Sequence, residues 1–216
     1  MQVAIIQSST APDAAQLMLA VSRAGMKPIL CFSTAALIHF DGYILLDAPL
    51  QSDFLRQECA QGKPILGILK GAEFLVEHGY VPGLENDKPA ILLKNNIISS
   101  SFLRASDTYQ YNAFTRCLTK KDIFSVAKLV EKNFVIPPAL LTEMQENGLN
   151  AFHFCDEKGV LESAIAAVSN KAGNVLAMLA ELEFSEKSDV IFLAMREAIL
   201  AGPSLPTMPL HYYPRK

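Results

Sequence analysis

The sequence predicts a doubly wound α/β domain: a mostly parallel sheet with helices on both faces and an antiparallel extension in its second half. Three observations predict it. Short apolar runs alternate with amphipathic segments from Val3 to Gly83, the pattern of βαβ units around a sheet buried on both sides. One of those runs, Pro64-Ile65-Leu66-Gly67-Ile68, turns sharply at Gly71 into an amphipathic segment carrying Phe74, Leu75 and His78. Beyond Gly83 the apolar runs come closer together and are separated by turn-forming residues, which suits antiparallel neighbours.

The elements follow in order. Val3-Ala4-Ile5-Ile6 is a first strand, and Ser8 to Asp13 supplies turn and N-cap chemistry for a helix from Ala14 to Ala24 that stops at Gly25. Pro28 to Phe32 and Gly42 to Leu46 are the next two strands. Leu50 to Gln61 is a helix closed by Gly62, and the Pro64–Ile68 strand follows it. Right-handed crossovers place the helices on both faces. In the second half, Ala90 to Leu93 and Ile97-Ile98 are strand-like around Asn95-Asn96, and Ile123 to Val130 is another apolar run. Pro137-Pro138 opens a helix running through Met144 to Gly148, since proline suits a first turn. Ala151 to Cys155 is a strand before an Asp156-Glu157-Lys158-Gly159 turn. Ala164 to Ser169 and Val175 to Leu179 flank a turn at Asn170–Asn174, and Ser188 to Leu200 is the closing helix. The organisation is one domain, 1–200, followed by a Pro-rich extended tail, 201–216.

Composition excludes several function classes. Half of the 216 residues are hydrophobic and 19% are charged, enough apolar surface for a core. A net charge of −3 argues against nucleic-acid or anionic-membrane partners, which select a basic surface. No apolar run nears the roughly 20 residues that span a bilayer. The start, MQVAIIQSST, reads as a strand and not as a signal peptide, so the expected location is cytoplasmic. Cys31, Cys59, Cys117 and Cys155 are scattered, with no C-x-x-C pair, so neither a zinc site nor a disulfide framework is expected. No cofactor or metal is called for, and the oligomeric state is left open.

The strand–turn–helix through Gly67-Ile68-Leu69-Lys70-Gly71 has the G-x-x-x-G backbone of a nucleophile elbow, in which the central residue is held exposed at a tight turn. That residue is Leu69, which has no nucleophilic atom. Gly67 and Gly71 are expected to serve the scaffold, allowing a tight turn and a helix packed close on the sheet. Lys70 is read as a solvated lysine, with anion binding at the helix N-terminus as the sharper alternative.

Two longer stretches carry a resemblance. GKPILGILKGAEFLVEHGYVPGLE, residues 62–85, resembles the elbow segment of class I glutamine amidotransferases, G-[VI]-C-N-G-x-Q followed by L-x-P-G. SAIAAVSNKAGNVLAMLAELE, residues 163–183, resembles the segment leading into P-H-P-E in one branch of that family, the glutaminase subunit of phosphoribosylformylglycinamidine synthase. LLTEMQENG, residues 140–148, and the Asp156–Gly159 turn match the same branch in colinear order. The resemblance implies a flavodoxin-like scaffold and, as partner, a large synthetase subunit of purine biosynthesis.

It also implies a Cys–His–Glu glutaminase whose pieces are absent here. Leu69 stands at the Cys position, Lys70 at the next, and Ala72-Glu73 where the family has its Gln. Glu181 replaces the His, and Glu183 alone keeps the family residue. The glycine pair that supports the oxyanion after the third strand has no counterpart in Asp47-Ala48-Pro49-Leu50, and Leu129-Val130-Glu131-Lys132 stands where the branch has H-G-E-G. The expectation is a degenerate, non-catalytic protein that works by binding. The alternative is a working glutaminase with an unorthodox nucleophile, for which Cys59 and Cys155 are the candidates. A third reading is a small-molecule-binding module at the C-terminal strand ends, although no phosphate-binding glycine fingerprint supports it. Glu181 and Glu183, two apart, would share one face if their strand continued, and a solvated acidic loop is the plainer expectation.

Overall fold

Five parallel strands form the first half of the sheet. In the computed structural model the described residues are 1–7, 13–32, 39–46, 52–83, 91–95, 100–109, 112–119, 121–129 and 131–202. Strand β1 (Gln2–Ile6), helix α1 (Asp13–Arg23), β2 (Lys27–Cys31), β3 (Gly42–Leu45), α2 (Ser52–Ala60), β4 (Ile65–Ile68) and α3 (Lys70–Glu77) come in the order the sequence predicts. They are followed by β5 (Leu92–Asn95), β6 (Phe102–Ala105), β7 (Ile123–Leu129), β8 (Lys132–Val135), α4 (Pro138–Glu146), β9 (Asn150–Cys155), β10 (Leu161–Ser169), β11 (Val175–Met178), β12 (Ala180–Leu182) and α5 (Asp189–Ala201).

The main sheet has the order β12-β7-β6-β9-β10-β11-β4-β3-β1-β2, and β5 pairs with β8 apart from it. From β2 to β11 every neighbouring pair is parallel. From β11 to β12, by way of β10, β9, β6 and β7, every pair is antiparallel. This is the expected parallel sheet with an antiparallel extension. Leu179 alone separates β11 from β12, yet β12 pairs with β7 at the far end of the sheet. The extension therefore curls until its last strand lies against the continuation of a central one.

Strand alternation sorts the core into two layers. Val3, Ile5, Ile44, Leu66, Ile68, Leu176 and Met178 face α1 and α5, where Leu17, Val21, Ile191, Phe192 and Met195 cover them. Ala4, Ile6, Tyr43, Leu45, Ile65 and Ala177 face α2 and α3, where Leu55, Leu75 and Val76 cover them. The two helices of the first layer are pinned to each other by Arg23 of α1, whose Nε and Nη2 donate to the Asp189 carboxylate of α5 at 2.6 and 2.7 Å.

Several expectations shift. His78 lies just past α3 as its C-cap, and Nδ1 is 2.9 Å from the Phe74 carbonyl. The run read from Ala164 begins three residues earlier, at Leu161. Strands β6, β8 and β12 carry no clear signal in the sequence. In β6 only Leu103 and Ala105 are buried, an alternation too short to read, and β8 opens on Lys132-Asn133. The turn and N-cap at Ser8–Pro12, Ile97-Ile98, Ala90, the first residues of the Leu50 helix, and the tail 203–216 lie outside the described residues. Among the described residues no helix is long and apolar enough to cross a membrane.

Candidate functional site

The elbow forms, and its geometry explains both glycines. β4 ends at Ile68, Leu69 is the N-cap of α3, and Lys70 is the first helical residue. The Leu69 N–H donates to the Met178 carbonyl at 3.0 Å, and its own carbonyl accepts from the Glu73 N–H at 3.1 Å. The turn is thus tied to the neighbouring strand and to the first helical turn. A Cβ on Gly67 would stand 2.6 Å from the Gly71 carbonyl oxygen, and one on Gly71 would stand 1.9 Å from the Leu45 carbonyl oxygen. Both positions require glycine because the helix backbone packs directly onto the strand backbones.

Leu69 has φ 52° and ψ −112°. Non-glycine residues rarely adopt positive φ, and a conformation this sparsely populated costs about 1–3 kcal/mol. In a nucleophile elbow the strain holds the reactive side chain out of the turn. Here the side chain is aliphatic and packs against the α1/α5 layer of the core, as does Leu46 at the end of β3. Burial of such a side chain contributes at most about 1.5–3 kcal/mol, the same size as the strain. Leu69→Gly, which loses both, should therefore leave stability nearly unchanged. Leu69→Ala keeps the strain and loses the packing, so it should be the less stable of the two by about 1–3 kcal/mol in urea unfolding.

The positions that the resemblance assigns to the triad have distinct surroundings. Glu181 lies on β12 and is 6% exposed, so the expectation of a solvated acidic loop fails for it. Burial follows from the curl of the sheet, which brings β12 against β7 and sets Glu181 opposite Lys128. Glu183 follows the strand and is exposed, and its N–H donates to the Ser125 carbonyl. A bulge separates the two pairings: Glu181 faces Lys128 and Leu182 faces Val126, which leaves Ala127 unpaired. Glu181 and Glu183 line one groove of about 490 Å3 together with Lys128, Leu182, Phe184 and Gln16 of α1. Both residues thus line one groove, Glu181 buried and Glu183 exposed. Gln16, Lys128 and Phe184 carried no sequence signal, because the β7–β12 pairing joins them across the chain.

Lys70 is exposed at the start of α3, and Glu73 is ion-paired with Lys132 of β8. Residues 47–51, where oxyanion support was sought, lie outside the described residues, as does Val130. At the end of β1, the Gln7 side chain is 2% exposed and neither amide atom has a hydrogen-bond partner among the described residues.

The thiols lack the setting of a nucleophile. Burial pushes Cys59, Cys155 and Cys31 above the ordinary thiol range, and partial desolvation and nearby Glu197 raise the exposed Cys117, whereas an attacking cysteine is shifted down. Cys59 sits in α2, where its Sγ is 3.9 Å from Asn174 Nδ2, and Cys155 closes β9. Burial lowers His153, whose Nδ1 lies 3.2 Å from the Glu162 carbonyl. Burial, then the bond to Glu58, raises the Tyr43 hydroxyl. These directions set a pH dependence. The thiols and Tyr43 hold their protons longer folded than unfolded, so the folded state binds more protons above the ordinary values of 9.0 and 10.0. Their stability is fully present below pH 9 and falls as pH rises through that range, which urea unfolding between pH 7 and about pH 10.5 should record. Among the described residues no group of three His, Cys, Asp or Glu side chains could hold a metal ion.

Known proteins share this fold. No protein-family model matches the chain. Over 130 residues it is 32% identical to phosphoribosylformylglycinamidine synthase subunit PurQ of Aquifex aeolicus, a match spanning 55% of this chain and 55% of that protein. The chain thus spans about half the length of that curated relative. A chain of PurLQS from Thermotoga maritima superposes with a TM-score of 0.63 at 16% identity, covering 91% of this chain and 97% of its own. A glutamine amidotransferase of Methylobacillus flagellatus gives 0.54 at 9% identity, over 99% and 98%. Another, from Thermotoga maritima, gives 0.53 at 13% identity, over 83% and 75%. The chain thus has the fold of glutamine amidotransferase structures, and over 130 residues its sequence is similar to PurQ.

Proposed function

We propose that this chain is a degenerate, non-catalytic glutamine amidotransferase-like protein that acts by binding or regulating a large synthetase partner, of the kind PurQ serves in purine biosynthesis. The observation that carries the reading is Leu69: the elbow keeps its strained backbone and close-packed glycines while its tip is aliphatic and packed against the core. Without a thiolate no thioester to glutamine forms. With no thiol at the tip of the elbow, a base at position 181 has no nucleophile to activate. The scaffold that would dock on a synthetase needs neither group. A functional glutaminase relying on Cys59 or Cys155 is disfavoured by thiols pushed up and placed away from a helix N-terminus.

The test is association. Purified chain mixed with the PurL-type synthetase of the same genome should co-elute on gel filtration, and the synthetase should then use free ammonia as nitrogen source. Separate elution at tens of micromolar, with no change in ammonia-dependent turnover, would overturn the reading.

A further inference from the structure

We draw no further inference here: the strongest candidate, the outer edge of β2, which no strand among the described residues pairs and which leads into the exposed Phe32, carries nothing because nothing in the structure shows what covers it.

Discussion

Gly71→Ala should abolish the native fold. The added Cβ would stand 1.9 Å from the Leu45 carbonyl oxygen and 2.5 Å from its carbon, and neither can yield. Leu45 lies on β3, which is hydrogen-bonded to β1 on one side and β4 on the other. The helix cannot retreat either, because the Gly71 N–H donates to the Leu46 carbonyl and the Leu69 N–H to Met178. The expected loss exceeds the roughly 4–5 kcal/mol that marks an exceptional substitution, so the variant should be insoluble or lack a cooperative unfolding transition. Gly79→Ala is the control. Unlike Gly71 it sits at positive φ, at 71°, but a Cβ there meets nothing within 4 Å among the described residues. It should cost only about 1 kcal/mol, for backbone conformation alone. A soluble Gly71→Ala protein melting close to the parent would show that α3 does not pack on β3 as described.

Leu69→Cys should produce a thiol far more reactive than the four native ones. The elbow would hold the new sulfur at the N-terminus of α3, where backbone N–H groups and the helix dipole favour the thiolate. Thiols in such settings ionise near or below neutrality, whereas burial moves the native cysteines the other way. At pH 7 the thiolate fraction should differ by about fifty-fold or more, and iodoacetamide should label residue 69 at least an order of magnitude faster than exposed Cys117. Peptide mapping of a labelling time course reads this directly. The same variant should still release no glutamate, because on the proposed reading Glu181 stands where the family has its histidine. Labelling of residue 69 no faster than Cys117 would show that this elbow does not activate a thiol.

The parallel half of the fold was legible because β1, β3 and β4 are short buried apolar runs closed by turn residues, and Gly25 and Gly62 mark real helix ends at φ 81° and 77°. The elbow was legible for the same local reason: glycine spacing and an apolar run determine a tight strand–helix turn. The strained backbone of Leu69 follows from that spacing, since the residue between two closely packed backbones has little choice. Burial of Glu181 was not legible. It depends on β12 leaving the line of β11 at Leu179 to pair with β7, some fifty residues earlier in the chain. Nothing local to Ala180-Glu181-Leu182 announces that pairing, and two acids near a strand end read as a surface. The groove was missed with it, because Gln16, Lys128 and Phe184 converge only after the sheet curls.

The measurement that tests the central claim most directly is a glutaminase assay. Purified chain is incubated with glutamine, alone and with the PurL-type synthetase of the same genome, its substrate and ATP, and glutamate is scored. No glutamate above background is expected in either condition, with synthetase turnover sustained by added ammonia. Synthetase-dependent glutamate that disappears in Cys59→Ala or Cys155→Ala would contradict it and move the nucleophile away from the elbow.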